Sequence, residues 1–165
     1  MFARFPYHPA TNQAADIIIE NHIQGAWPGP YCLFLGARPS PAALKVLEAA
    51  LEKNKSKETQ GYARYGLAKY YQNQADSADP ENLGVRQRFI DKAEKLLAEV
   101  VEKYADLDLN GEKIGKKAAS QLFELRHLSV GKVAPEIEGE DIDGKKFKLS
   151  DYRGKIVLLD FWGHW

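Results

Sequence analysis

The hydrophobic period of this chain changes near Ser129, and this change constrains the fold more than any other feature. Before Ser129, apolar side chains recur every three or four positions, as they do on one face of an amphipathic helix. After it, the stretch DGKKFKL alternates Phe147 and Leu149 with lysines, as a half-buried strand does. The sequence therefore predicts an α+β chain with two domains, an α-helical domain over residues 1–129 and a β-containing domain over residues 130–165.

Local signals place the helices of the first domain. Ser40 is the predicted N-cap of a helix whose first residue is Pro41. The clearest helix is RQRFIDKAEKLLAEVVEKYA, which has one continuous apolar face, and a last helix is expected from Glu112 to about Leu128. A helix is also expected after Pro9, with its buried face at Ala14, Ile17, Ile18 and His22.

The stretches LAKYY and AEKLLAEVVEKY loosely resemble a tetratricopeptide-type helix pair. No second copy recurs at a fixed period, as such a repeat requires. The functional interpretation is a peptide-binding groove in a helical interaction module. The alternative, a plain helical array whose tyrosines and leucines form the core, is favoured because aromatic residues at helical spacing are ordinary packing.

Composition excludes several classes of function. Lysine plus arginine and aspartate plus glutamate both count 23, so net charge predicts neither nucleic acid nor an anionic membrane as a partner. The aliphatic run Ile17–Ile19 is too short for a signal peptide or a membrane span. Cys32 is the one cysteine, so no intrachain disulfide can form, and its apolar neighbours predict burial. We expect no metal and no cofactor, because the histidines lie far apart at positions 8, 22, 127 and 164.

Two strands and a turn are predicted in the second domain. Asp143-Gly144 indicates a type I′ hairpin turn, in which both central residues have φ > 0. The run KIVLLDF does not alternate and is rich in β-branched and aliphatic residues. It predicts a strand buried on both faces, of the kind found inside parallel sheets.

The stretch VGKVAPEIEGEDIDGKKFKLSDYRGKIVLLDFWGHW closely resembles the opening of the redoxin branch of the thioredoxin-like superfamily, the TlpA/ResA-like thiol-disulfide oxidoreductases of AhpC/TSA type. The entry Val-Gly-x-x-Ala-Pro is matched at residues 130–135, and Leu-Ser-Asp-Tyr-x-Gly-Lys at residues 149–155. Phe-Trp-x-x-Trp is matched by Phe161, Trp162 and Trp165. The resemblance implies that this domain is the N-terminal portion of an α/β thioredoxin-like fold.

The resemblance also implies the chemistry. The residue after Trp165 should be the nucleophile of a Cys-x-x-Cys motif, at a helix N-terminus whose dipole stabilises a thiolate. The implied partners are protein disulfides or small thiols. Peroxiredoxins open in a similar way, so a thiol peroxidase is the alternative. In that branch an aromatic-proline segment follows the strand, whereas DFWGHW has no proline, so the tryptophan pair favours the dithiol branch.

Three residues of the run are candidate site residues. In many thioredoxins an aspartate precedes Phe-Trp and is thought to shuttle protons for the second cysteine, so the resemblance implies this role for Asp160. We expect Asp160 to be partly buried between Leu159 and Phe161; the alternative is an exposed aspartate at a strand end. Trp162 and Trp165 are expected to flank the active site and to pack there.

The end of the sequence at Trp165 has three explanations: an ordinary fragment, a deliberate shortening, or a UGA codon that encodes selenocysteine. In each case we expect these residues alone to be inactive, since they contain no redox pair, and the last strand to be poorly covered. TlpA-like relatives work outside the cytoplasm, so the resemblance implies an extracytoplasmic location, although no signal peptide is visible here.

Overall fold

The computed structural model describes residues 6–25 and 29–163. The chain divides into two compact units, one up to Arg126 and one from His127 onward. The architecture is α+β with a helical N-terminal region, which confirms the predicted fold class. None of the described helices combines the length and the apolar composition that a membrane crossing needs.

The N-terminal unit consists of helices and one short β-ribbon. Its helices are α1 (Pro9–Asn21), α2 (Gly29–Ala37), α3 (Pro41–Lys53), α4 (Lys57–Asp76), α5 (Leu83–Lys103) and α6 (Ile114–Phe123). Strands β1 (Asp108–Leu109) and β2 (Glu112–Lys113) pair antiparallel between α5 and α6. A π-helical turn, Glu124–Leu128, continues α6.

The predicted helix-start signals are found where the sequence has them. The Ser40 hydroxyl accepts a hydrogen bond from the Ala43 N–H, and Pro41 is the first residue of α3. Pro9 begins α1 in the same way. A serine cap of this kind stabilises a helix by about 1 kcal/mol, because it gives a partner to one of the free N–H groups of the first turn.

Helix α4 lies at the centre of the helical core and contacts α2, α3 and α5. Where α2 crosses α4, the backbones approach so closely that a Cβ atom at Gly36 would lie 2.0 Å from the Gly66 carbonyl oxygen. The core side chains are apolar and close-packed; those that are fully buried include Leu35, Val46, Leu47, Leu97, Val100 and Ile114.

Three helical expectations differ from the structure. On the predicted buried face of α1, Ala14 and Ile18 are partly buried against the core, whereas Ile17 is 56% exposed and His22 is exposed. The fully buried residues of α1 are Thr11 and Ala15. Helix α2 was not predicted, because its apolar residues form no amphipathic pattern. The predicted last helix begins at Ile114 rather than Glu112, because β2 takes Glu112 and Lys113.

The C-terminal unit contains one hairpin, in which β3 (Glu138–Glu140) pairs antiparallel with β4 (Lys146–Lys148). A 3-10 helix, Leu149–Tyr152, follows β4. The predicted turn type is wrong: within the hairpin loop Gly144 has a positive φ of 76° and Asp143 does not. The Gly144 N–H donates to the Asp141 carbonyl at 3.0 Å, which is the geometry of a type I turn followed by a left-handed glycine.

The strand predicted after Gly154 is not formed, and residues 156–163 are in no helix or strand. In the described part of the C-terminal unit, β3 and β4 pair with each other, and residues 156–163 have no ladder partner. A strand buried on both faces needs neighbours on both sides, and no further strand or helix lies beside this run in the described residues.

Candidate functional site

The candidate site is the C-terminal unit. Glu136 fixes the segment that leads into its hairpin. One oxygen of its carboxylate accepts hydrogen bonds from the Ser150 N–H at 3.0 Å and the Ile137 N–H at 3.2 Å. The hydrogen bonds from Ser150 lower the pKa of Glu136 below its usual range. The ionised carboxylate therefore links the segment before β3 to the 3-10 helix that follows β4. Sequence reasoning missed this role, since no local pattern distinguishes Glu136 from the other exposed glutamates.

A second set of bonds closes the hairpin on the same side. The Leu149 N–H donates to the Ile137 carbonyl at 2.9 Å, and the Lys148 N–H donates to the Asp151 carboxylate at 2.9 Å. Asp151 thereby caps the 3-10 helix, because it pairs with a backbone N–H at the start of that helix. The helix in turn sets the position at which the apolar run begins.

The apolar run alternates in exposure along its length. Val157 and Leu159 are 41% and 47% exposed, whereas Ile156 and Leu158 are 104% and 93% exposed. Val157 lines a groove of about 230 Å³ together with residues of the entry segment and the 3-10 helix: Val133, Ala134, Pro135, Glu136, Leu149, Ser150, Tyr152 and Arg153. The exposure of Ile156–Leu159 thus alternates with the period of two that a strand has, and Val157 faces this groove.

The predicted site residues lie at the end of this run. Asp160 is exposed, so the expected partial burial is wrong, because the described residues place no helix or strand over it. Trp162 is 79% exposed. Trp165 lies outside the described residues. Asp160 and Trp162 lie two residues apart on one segment without helix or strand, and neither is enclosed in a pocket within the part of the chain that the structure describes.

Cys32 lies in the other unit and is fully buried in α2, as the sequence predicts. Burial raises the pKa of its thiol to about 12. Thiol exchange requires the thiolate, so a buried thiol with this pKa is inert at neutral pH. Among the described residues, no group of three or more histidine, cysteine, aspartate and glutamate side chains is placed to hold a metal ion.

Known proteins resemble the C-terminal part of the chain. A model of the AhpC/TSA family matches residues 130–165. The thiol-disulfide oxidoreductase ResA of Geobacillus thermodenitrificans is 47% identical over 47 residues, which are 28% of this chain and 27% of that protein. ResA of Bacillus subtilis is 50% identical over 38 residues, which are 23% of this chain and 21% of that protein. The chain thus spans about a quarter of the length of these curated relatives. No solved structure gives a significant match.

Proposed function

Because residues 130–165 are a TlpA/ResA-like redoxin segment of AhpC/TSA type, we propose that the protein is a thiol-disulfide oxidoreductase. The observation that carries this proposal is the 47% identity to ResA over 47 residues. The substrates are disulfides of proteins or of small thiols. Substrate choice and redox direction depend on the partner's reduction potential.

The proposed reaction is a two-electron exchange. A thiolate, or a selenolate, of the protein attacks one sulfur of the substrate disulfide, forms a mixed disulfide and releases the other sulfur as a thiolate. The protein's second thiol then loses its proton, attacks the mixed disulfide and releases the second substrate thiolate. The protein pair is oxidised to a disulfide, and the substrate takes up two electrons and two protons.

The redox pair of this reaction is not among residues 1–165, which contain one cysteine, the inert Cys32. We place the pair directly after Trp165, with cysteine or selenocysteine as its first member. Asp160 accepts the proton of the second thiol in this proposal. Its position in the sequence, directly before Phe161-Trp162 and six residues before the expected nucleophile, supports that role.

The decisive experiment compares two proteins in the reduction of insulin by dithiothreitol. The first is the 165-residue chain, and the second continues in frame through the codons after Trp165. The proposal expects activity in the longer protein alone, abolished when the first residue of the pair is replaced by serine. An active 165-residue chain, or a longer frame without a cysteine or UGA codon in the next four positions, contradicts it.

The proton role of Asp160 has its own test in the longer protein. Asp160→Asn should slow insulin reduction by about 100-fold, the lower end of the range for general acid–base groups. Asp151→Asn is the matched control, because it changes a carboxylate of the same unit that caps the 3-10 helix. Equal effects of the two changes would show that Asp160 acts through folding.

A thiol peroxidase is the second candidate, since the matching family model is that of the AhpC/TSA family. The same longer protein distinguishes the two activities. A peroxidase consumes hydrogen peroxide in the presence of dithiothreitol and leaves insulin unreduced, whereas a thiol-disulfide oxidoreductase does the opposite.

A further inference from the structure

The helical unit contains a groove of about 460 Å³ that has no part in the proposed redox chemistry. Four elements form it: α2, α4, the β1–β2 ribbon and α6. Its lining residues are Leu33, Tyr65, Lys69, Leu109, Asn110, Glu112, Lys117, Ser120 and Gln121. A groove of this volume lies within the range of small-molecule sites.

The floor of the groove is apolar, and its rim is polar. Leu109 and Tyr65 are buried, and Leu33 is partly buried against the core. Tyr65 and Lys69 are four residues apart on α4, so they lie on one face of that helix. An apolar floor with a few convergent polar groups is the usual composition of a ligand site.

The charged groups around the groove leave one cation available. Lys117 and Lys116 pair with Glu112 at 2.5 and 3.7 Å, so Glu112 is already neutralised. Glu112 and Glu124 both act on the Tyr65 hydroxyl electrostatically. Lys69 is half-buried, and its ammonium group has no ion pair or side-chain hydrogen bond among the described residues. The three lysines and two glutamates named here sum to one net positive charge. Lys69 is the lysine among them that has no ion pair in the described chain.

A polar atom of the groove wall also lacks a partner. The Gln121 side chain hydrogen-bonds to the Tyr65 hydroxyl, and its buried Oε1 atom has no hydrogen-bond partner in the part of the chain that the structure describes. A buried acceptor without a donor destabilises the fold relative to one that is hydrogen-bonded. A ligand that carries an N–H group would supply the missing donor.

We propose that this groove binds a small monocarboxylate with an apolar body, and that Lys69 pairs with its carboxylate. The apolar body lies on Leu33 and Leu109, where it is removed from water. An N-acylated apolar amino acid has this chemistry, because it joins one carboxylate, one N–H group and one aliphatic side chain. Its amide N–H is a donor of the kind that the Gln121 Oε1 atom lacks.

The test is titration of the 165-residue chain with N-acetylleucine, followed by amide shifts in ¹H–¹⁵N NMR spectra. This method detects dissociation constants in the millimolar range, about 4 kcal/mol of binding free energy. The expected result is a saturable shift confined to residues of the groove, such as Lys69, Asn110 and Gln121. N-acetylleucinamide has the same body without the charge, and it should bind about tenfold more weakly.

Variants separate the ion pair from general packing. Lys69→Met keeps the aliphatic stem and removes the charge, so it should weaken N-acetylleucine binding about tenfold, the amount expected for one charge-assisted hydrogen bond. Lys69→Arg keeps the charge and should retain binding within about threefold of the unchanged protein. Lys103→Met, on α5 outside the groove, is the control and should bind as the unchanged protein does.

Four results would overturn the proposal: no saturable shift, equal shifts with the neutral amide, unaltered binding in Lys69→Met, or equal losses in Lys69→Met and Lys103→Met. Amide positions outside the groove report whether each variant is folded. If they show that Lys69→Met is unfolded, Lys69→Arg and the neutral amide decide the question.

Discussion

Replacement of Gly36 by alanine tests whether the backbone contact between α2 and α4 holds the helical unit together. A Cβ atom at this position would lie 2.0 Å from the Gly66 carbonyl oxygen and 2.7 Å from its carbon. Ordinary van der Waals contact begins near 3.4 Å. The two helices must therefore separate by more than 1 Å where they cross, and no side-chain rotation can relieve the contact because both sides are backbone.

The magnitude follows from two opposing effects. Overpacking of a core costs about 1–3 kcal/mol, and the rigid backbone at Gly66 places this change at the upper end. A gap of 0.5–1 Å also removes about a quarter to a half of each dispersion contact along the interface. Alanine regains up to about 1 kcal/mol over glycine in a helix. The expected net loss is about 2 kcal/mol in the free energy of unfolding.

Urea unfolding followed by circular dichroism at 222 nm measures this loss. With a slope of about 2 kcal/mol per molar urea, the midpoint should fall by about 1 M. Gly84→Ala is the matched control, because Gly84 is in α5 and a Cβ atom there meets nothing within 4 Å. It should leave the midpoint unchanged or raise it. A midpoint for Gly36→Ala at or above that of Gly84→Ala would refute the close-contact account.

Four further outcomes are expected. Cys32 should resist Ellman's reagent at pH 8 in the folded chain and react within minutes in urea, because burial raises the pKa of its thiol to about 12. The same raised pKa stabilises the fold below the unfolded value of 9, so the urea midpoint should decline as pH rises from about 9 to about 12; Cys32→Ala should make this decline shallower. Asn54→Ala should destabilise the helical unit by about 2 kcal/mol and expose the isoleucines of α1 to thermolysin first, because the Asn54 amide donates to the carbonyls of Ile23 and Gly25, each at 2.8 Å. Limited chymotrypsin treatment should cleave the exposed run near Phe161 before any site in α4 or α5, and equal protection of both units would contradict this.

Helix prediction succeeded where the signal is local. Ser40 and Pro41 mark the start of α3 through a hydrogen bond and a fixed φ that depend on a few adjacent residues. The apolar face of α5 follows from spacing alone, and Ala93, Leu97 and Val100 are fully buried. Helix α2 has no such signal, because the stretch GPYCLFLGA is apolar on every side. Its helical form depends on packing against α3 and α4, which no short window of sequence contains.

The two Asx-Gly pairs show how turn prediction failed and how it could have succeeded. At Asn110-Gly111 both residues have positive φ, 57° and 82°, so this pair makes the two-residue turn of the β1–β2 ribbon. That pair is a recognised hairpin signal and could have revealed the ribbon. At Asp143-Gly144 the same type of signal was used but gave the wrong turn, because the Asp141 carboxylate accepts N–H bonds from Asp143 and Lys145 and favours a longer loop.

The site residues Asp160 and Trp162 were predicted from a family resemblance, whereas the burial of these residues could not be predicted. The β-branched and aliphatic residues after Gly154 favour a strand, but a strand also needs a ladder partner, which residues 156–163 do not have in the described chain. The burial of Asp160 was inferred from its apolar neighbours in sequence, but burial is set by elements that pack from elsewhere in a fold. In the described chain Leu159 is 47% exposed and Phe161 is 84% exposed, so the neighbours themselves are not enclosed.

The side chains of Ile156–Leu159 alternate in exposure, although all four are aliphatic. Its inward face, at Val157 and Leu159, is about half covered, while Ile156 and Leu158 are almost fully exposed. Each exposed aliphatic side chain forgoes about 1.5–3 kcal/mol that burial would provide. The run therefore gains little stability from its own side chains, and the bonds of Glu136 and Asp151 fix the residues before it rather than the run itself. The alternation of such a segment is a local property, whereas its stability depends on burial of its outer face by another element. The apolar pattern predicted a strand with two buried faces because Ile156 and Leu158, on the outer face, are as apolar as Val157 and Leu159.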